Sequence, residues 1–303
     1  MHAPRPIRFA SAILVLAAGA AGAQAPDADI FLVTLGRDGG RLAVSGARNL
    51  TNRPGYDNQP SWSPDGGSIF FTSVRQGQQA DIYRIDAAAG VATRVTMTSP
   101  ESEYSATPMP GRNAISVIRV ERDSTQRLWS VPLDGSAGAV ILERIKPVGY
   151  HTWANDTLLA LFVLGSPNTL QLASTTTGRG DTIVTSIGRS LHTTRDGQVS
   201  FVHKVNADEW WLTLLNPVTR AQTRLVRMPR RVEDYAWTPD GLVLAGEGSV
   251  LKSFNPRTGG TWETVADLAP MGLAGITRLA VSPRGDAVAV VAQPAAPGRD
   301  LPR

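Results

Sequence analysis

The sequence contains no cysteine, which excludes disulfides, thiolate metal sites and lipid attachment to a cysteine. Lysine is almost missing: Lys146, Lys204 and Lys252 are the whole set. The remaining basic residues are arginines scattered along the chain, with no basic stripe and no nucleic-acid-binding motif. A nucleic-acid partner is therefore not expected. No segment sustains a 3.6-residue apolar period over three turns, so long helices are not expected either. Hydrolase and nucleotide signatures are also missing. There is no Gly-x-Ser-x-Gly elbow, no His-Glu-x-x-His, no P-loop and no dinucleotide fingerprint. Gly246-Glu247-Gly248 is a short glycine pair that reads as a turn between strands.

The N-terminus reads as an export signal. Arg5 and Arg8 precede an apolar or small run from Phe9 to Ala21, and Ala21-Gly22-Ala23 fits a small-x-small cleavage site. The run is about 13 residues, short of the roughly 20 that cross a bilayer. Residues 1–23 are thus expected to be removed, leaving a chain in the periplasm or outside the cell, with no membrane span. Loss of two arginines would take the formal charge from +4 to +2. A chain of this length can bury roughly three quarters of its unfolded surface without covalent staples.

The main signal is an internal repeat. Tyr56-Asp57-Asn58-Gln59-Pro60-Ser61-Trp62 leads into Ser63-Pro64-Asp65-Gly66, where Pro, Asp and Gly suit successive corners of a type I turn. Ser68 to Ser73 and Asp81 to Asp86 then read as strands, with Val91 to Thr96 as an outer one. Gly66, Gly111, Asp156, Gly197, Gly241 and Gly285 mark returns of the turn, 41 to 45 residues apart. Trp62, Trp153 and Trp237 precede three of them. A four-stranded blade takes about 40 to 50 residues, and a ring of such blades is a propeller.

The termini complete the count. After Gly285 one further strand, Asp286 to Ala292, is expected, so the sixth blade is short by two. Ala28-Asp29-Ile30-Phe31 copies Ala80-Asp81-Ile82-Tyr83 and can supply the missing strands. The expected fold is all-β: a six-bladed β-propeller of four-stranded antiparallel blades over 24–292, closed by its N-terminal strands. A flexible tail would follow over 293–303.

Trp62-Ser63-Pro64-Asp65-Gly66, the strand after it and Asp81-Ile82-Tyr83 resemble the repeat of the TolB-like and WD40-like propellers. Asn49-Leu50-Thr51-Asn52 and Trp237-Thr238-Pro239-Asp240-Gly241 fit the same repeat, while Arg284 stands where aspartate is expected. The resemblance spans about residues 28 to 292 and implies the fold more than a function. TolB carries a small α/β domain before its propeller, and here only about five residues separate the expected cleavage site from the first strand, so a TolB role in the Tol system is not expected to carry over.

In a propeller, residues just before each inner strand converge on one mouth of the central channel. Aligning the turns brings together Asp57, Asn58 and Gln59; Glu103 and Tyr104; Tyr150 and His151; Arg189; Glu233 and Asp234; and Arg278. This polar, mixed-charge, partly aromatic ring is the candidate binding site. The acids could hold a central Ca²⁺, but Arg189 and Arg278 can neutralise them, and His151, His192 and His203 have no ligand spacing. No cofactor, metal site or catalytic residue is assigned. Trp210-Trp211 should put one ring on each face of its strand.

Three readings follow. The first is an exported binding or scaffold module of the cell envelope, monomeric, with an envelope protein or peptide as partner at the mouth and adjoining loops. The second is a lyase or hydrolase on sugars or lactones, with His151 and Glu233 or Asp57 as acid–base candidates. The third is a structural subunit of an envelope assembly.

Overall fold

The computed structural model describes residues 27–75 and 79–294. The expected export signal, most of the expected tail and residues 76–78 of one mouth loop lie outside the described residues.

The chain forms β1 (Asp29–Asp38) and β2 (Arg41–Asn49), then five complete blades. Blade one is β3 (Tyr56–Trp62), β4 (Ser68–Val74), β5 (Ala80–Asp86) and β6 (Ala92–Arg94). Blade two is β7 (Ser102–Pro108), β8 (Ala114–Val120), β9 (Gln126–Pro132) and β10 (Ala139–Val140). Blade three is β11 (Val148–Trp153), β12 (Leu158–Val163), β13 (Thr169–Ser174) and β14 (Arg179–Thr185). Blade four is β15 (Ile187–Thr193), β16 (Val199–Lys204), β17 (Trp210–Leu215) and β18 (Gln222–Arg227). Blade five is β19 (Tyr235–Trp237), β20 (Val243–Glu247), β21 (Val250–Phe254) and β22 (Glu263–Asp267). The last strands, β23 (Leu273–Val281) and β24 (Ala287–Pro294), pair with the N-terminal ones in the order β2-β1-β24-β23. The protein is thus a six-bladed propeller whose sixth blade is built from both ends of the chain.

The closing register runs from Asp29 opposite Ala292 to Thr34 opposite Ala287. Period-two alternation explains how β1 serves two interfaces. Ile30 packs toward blade one with Trp62, Ile69 and Phe71. Phe31, Val33 and Leu35 pack toward blade five with Ala236, Leu244 and Leu251. The described core is made of such clusters, one between each pair of neighbouring blades. β24 continues through Gln293 and Pro294, which pair with Ala274 and Leu273.

The turn chemistry is a shared hydroxyl–carboxylate hook. Ser63, Thr194 and Thr238 each donate to the aspartate two residues on, Asp65, Asp196 and Asp240. Blade six has Arg284 at the aspartate position, and the hook is kept by Asp286, which accepts from the Ser282 hydroxyl at 2.7 Å. Arg284 instead reaches the Asp65 carbonyl of blade one at 3.3 Å and ties the closing blade to its neighbour.

The tryptophans before the turns are clasps between blades. The Trp153 indole donates to Ser116 Oγ of blade two at 2.9 Å, and the Trp237 indole to Ser200 Oγ of blade four at 2.8 Å. Trp62 donates to the Ala280 carbonyl of blade six at 2.8 Å. Gly246 is not in the turn, which falls at Gly248 and Ser249, but in strand β20. It pairs with Leu251 inside the β20–β21 hairpin, and a Cβ there would lie 2.2 Å from Ile276 Cγ2 of blade six. Only glycine lets that side chain pack so closely.

Candidate functional site

The six inner strands, β3, β7, β11, β15, β19 and β23, surround the channel. Five of them break register near their mouth end, between Asn58 and Ser61, Tyr104 and Thr107, Val148 and Tyr150, Ile187 and Leu191, and Ala274 and Arg278. Such bulges re-aim side chains at a barrel rim. The cross-strand register then sets a common level. Three residues along each second strand from the partner of the last inner-strand residue, Asn58 lies opposite Thr72 and Tyr104 opposite Ile118. Tyr150 lies opposite Phe162, and Arg278 opposite Val291, at the same level.

The channel encloses a cavity of about 380 Å³. Of the residues expected at the mouth, Gln59, Tyr150, His151, Arg189, Asp234 and Arg278 line it. Blades four, five and six supply its charge. Arg189 forks onto Asp234, with Nη2–Oδ2 at 2.5 Å and Nε–Oδ1 at 3.2 Å, and the Ser190 hydroxyl donates to Oδ1 at 2.9 Å. Arg278 Nη1 stands 3.7 Å from Asp234 Oδ1, while its Nη2 donates to the Tyr150 hydroxyl at 3.0 Å. Burial alone would raise the Asp234 carboxyl, but Arg278 and Arg189, with the bonds from Arg189 and Ser190, hold it below its usual value. Burial opposes the charge of Arg189, and Asp234 and Glu233 more than restore it.

Both channel histidines are neutral. Burial pushes His151 down to about 3 and His192 down to about 4. His151 Nε2 meets Ser116 Oγ at 2.6 Å, and its Nδ1 is buried without a partner. Ser116 also accepts from Trp153 and sits 3.2 Å from the Thr107 carbonyl, to which it can give its one proton. That network assigns the imidazole proton to Nε2. A second proton on Nδ1 would find no acceptor. The His192 ring packs at 4.9 Å from Tyr235, whose hydroxyl donates to Ser200 Oγ at 2.9 Å.

The other expected residues do not share this wall. Asp57 is fully buried, paired with Arg53 at 3.2 Å and hydrogen-bonded by Ser73. Glu103 is fully buried with Arg119 at 2.9 Å and Thr98. Burial raises the pKa of both, and one oxygen of each has no partner. Asn58 caps the next backbone N–H, that of Gln59, at 2.7 Å, and Tyr104 packs against the core between blades two and three. Glu233 faces Lys204 at 2.6 Å and Arg189 at 3.6 Å. Among the described residues His151 pairs with neither Glu233 nor Asp57. The two rings of Trp210-Trp211 do divide. Trp210 joins the core between blades four and five beneath Lys204, and Trp211 bonds Glu209 with Arg224 beside its ring.

Among the described residues no three histidine or acidic side chains converge. Asp234 is committed to arginine and serine, and Asp57 and Glu103 are walled off.

Tyr56 and Ser105 are not among the residues expected at the mouth, whereas Gln59 is. Tyr56 lies in the field of Arg278, Tyr150, Tyr104 and Arg189, with burial as the main cause of its rise to about 12. Ser105 and Gln59 line the wall in left-handed backbone, at φ 54° and 57°, and the Ser105 N–H donates to Gln59 Oε1 at 2.8 Å. The serine clasps did leave a trace in the sequence. Ser116 and Ser200 each precede their tryptophan by 37 residues, and their second partner, His151 or Tyr235, by 35.

Comparison with solved structures agrees with this architecture. A protein assigned as TolB from Agrobacterium tumefaciens superposes with a TM-score of 0.65 at 13% identity, covering 89% of this chain and 99% of that one. The fold is that of the TolB propellers. TolB from Acinetobacter baumannii gives a TM-score of 0.57 at 11% identity, over 88% of this chain and 64% of that chain. An oligogalacturonate lyase in complex with manganese gives 0.55 at 17% identity, over 82% and 80%. These identities establish a shared fold. An uncharacterized protein of Agrobacterium fabrum is 32% identical over 102 residues, which span 34% of this chain and only 32% of that relative. No protein-family model matches the chain.

Proposed function

We infer that the protein is an exported binding module of the cell envelope, which receives a protein or peptide partner at the mouth of its channel. One observation carries the reading. The Arg189–Asp234–Arg278–Tyr150 layer faces a cavity, yet the blades already pack through their apolar interfaces. Charged groups held in fixed geometry around a cavity are what a recognition site needs. The TolB-like fold supports a scaffold or binding role.

The lyase among the structural neighbours raises the alternative of catalysis. A general acid or base should titrate near the working pH and reach its target. His151 is tied to Ser116 and held near 3, and Asp234 is ionised and doubly paired. Both features favour binding. An exported location is supported by the Arg5–Ala23 signal pattern. Among the described residues no helix is long and apolar enough to cross a membrane.

The test is affinity capture from the source organism's envelope fraction, with residues 24–303 as bait. The control bait carries Arg278→Gln and Tyr150→Phe, which leaves the Arg189–Asp234 pair intact. A partner held by the wild type and lost by the folded control is the expected result. Equal recovery by both baits would remove the channel from the proposal.

A further inference from the structure

We propose that the channel binds a small hydroxylated monocarboxylate, of the sugar-acid class. Arg278 and the Tyr150 hydroxyl donate to its carboxylate, and the serine and threonine hydroxyls of the wall accept from its own hydroxyls. This goes beyond the partner reading, since it needs the cavity alone and holds whether or not a protein covers the mouth.

The cationic donors are unspent. Asp234 is occupied by Arg189 on both oxygens and by Ser190 on one. Its 3.7 Å separation from Arg278 exceeds the roughly 2.7–2.9 Å of a charge-assisted hydrogen bond. Among the described residues Arg278 makes one side-chain hydrogen bond, to the Tyr150 hydroxyl. A guanidinium has five N–H donors in a planar fork that matches a carboxylate bidentately. The Tyr150 oxygen accepts from Arg278, so its own proton remains available to a ligand oxygen. The wall carries Arg189, Arg278 and one acid, Asp234, and both histidines are neutral, for a net charge of +1. One carboxylate balances it.

The rest of the wall calls for hydroxyls. Trp62, Trp237 and Leu279 reach the cavity but belong to the apolar clusters between blades. Five hydroxyls from blades one to four also line it, and each gives its proton to the protein. Ser61 donates to the Ala106 carbonyl at 2.6 Å, Thr107 to the Ser105 carbonyl at 3.4 Å and Ser190 to Asp234 at 2.9 Å. Thr193 donates to the Trp153 carbonyl at 2.8 Å, so its 3.3 Å contact with Thr152 is a bond given by Thr152. All five oxygens therefore keep lone pairs and have no proton left to offer. Gln59 is the reverse case. Its Oε1 accepts from the Ser105 N–H and from the Thr72 hydroxyl, both at 2.8 Å, which fixes the amide. Its Nε2 donors have no partner among the described residues. A ligand hydroxyl both gives and accepts, so it satisfies either kind of position. An apolar ring would strip water from these groups and replace none of its hydrogen bonds. The cavity of about 380 Å³ lies at the lower end of the roughly 300–1,000 Å³ typical of small-molecule sites.

The experiment is a calorimetric titration of the protein with three ring compounds. Glucuronate has the carboxylate and the hydroxyls, glucose lacks the carboxylate, and cyclohexanecarboxylate lacks the hydroxyls. The Arg278 Nε–Hε signal, followed by NMR, shows whether a ligand occupies the site. Glucuronate is expected to move that signal saturably and to bind at least about tenfold more tightly than either analogue, the ratio for one charged hydrogen bond lost. Tyr150→Phe should weaken glucuronate by a similar factor, and Arg278→Gln should bring it down to the affinity of glucose. Glucose binding as tightly as glucuronate would overturn the carboxylate assignment, and cyclohexanecarboxylate doing so would overturn the hydroxyl assignment. A fourth ligand, the α-amide of N-acetyl-aspartate, presents its carboxylate as a protein side chain does. Its binding as tightly as glucuronate would overturn the sugar-acid class and give the site to an acidic side chain of a partner. Should the capture experiment yield a mouth-dependent partner while glucuronate leaves Arg278 unmoved, the partner reading stands and this proposal falls. Glucuronate binding with no partner captured is the converse.

Discussion

Acid should destabilise this protein through two histidines well before its paired carboxylates protonate. Burial lowers His151 to about 3 and His192 to about 4, from 6.5 in the unfolded chain. A folded-state pKa below the unfolded one means that the unfolded chain binds more protons as pH falls. The histidine contribution is therefore intact above about pH 6.5 and is lost as the pH drops toward 3 to 4. Linkage over pH 7 to 5 gives about 2 kcal/mol for each histidine, or about 4 kcal/mol for both. Asp57 and Glu103 act in the opposite sense. Burial raises their pKa values, so their contribution is fully present below the unfolded carboxyl pKa and is lost as pH rises through the folded value. They offset part of the acid effect in every variant alike. Comparison of variants removes them. The perturbation is His151→Gln, which keeps a polar group beside Ser116 and cannot titrate. Urea unfolding at pH 7, 6 and 5 should show the stability of the variant falling by about 2 kcal/mol less than that of the wild type over the same range. Parallel pH curves for the two proteins would refute the claim that burial keeps His151 neutral.

Two further outcomes test the interfaces. Ser200→Ala removes the acceptor for both the Tyr235 hydroxyl and the Trp237 indole; orphaning two donors should cost about 2–4 kcal/mol in urea unfolding, against about 1 kcal/mol for Trp237→Phe, which orphans none. Gly246→Ala forces a methyl against Ile276 and should cost about 1–3 kcal/mol. Combined with Ile276→Ala it should cost clearly less than the sum of the two single changes, and strict additivity would show that the two residues do not press on each other.

The fold was legible because its determinants are local and repeated. A Ser/Thr-Pro-Asp-Gly turn, as at 63–66 and 238–241, fixes a hairpin by its own hydrogen bonds, whatever surrounds it, and the six turn positions marked by Gly66, Gly111, Asp156, Gly197, Gly241 and Gly285 fix the blade count. The copy of Ala80–Tyr83 at Ala28–Phe31 gave the closure for the same reason. The channel wall was only partly legible. Counting back from each turn puts the right stretch at the mouth, but in blades one and two a bulge lies between the turn and the mouth residues, whereas in blades three and six the bulge lies beyond Tyr150 and Arg278. One extra residue changes which side of the strand a side chain faces. So Asp57 and Glu103 lie at the expected height and turn into the blade interfaces, while Arg278 and Tyr150 turn inward. The pairing of Asp234 with Arg189 and Ser190 crosses from blade five to blade four, and no local pattern encodes a contact of 44 or 45 residues' separation. The Arg284 departure from the turn motif shows the reverse case. The expected aspartate is missing, yet Asp286 stands two residues on and supplies the same carboxylate.

A ring of similar blades need not have a symmetric channel, and this one does not. Blades one and two present Gln59 and Ser105, uncharged and linked by the Ser105 backbone N–H, which donates to Gln59 Oε1. Blade three presents Tyr150 and a neutral His151, and blades four, five and six present Arg189, Asp234 and Arg278. The charge thus forms an arc on one side of the wall. An anionic group that entered along the axis would be drawn to the arc and held off centre, so the rest of the ligand must lie toward blades one and two. Asp234 lies between the two arginines, and each partly neutralises it. Loss of Arg189 would leave Arg278 as its remaining counter-ion and draw that side chain from Tyr150 toward the acid. The outer pair therefore sets the aim of the inner cation, and a substitution at Arg189 should alter ligand affinity without touching the ligand.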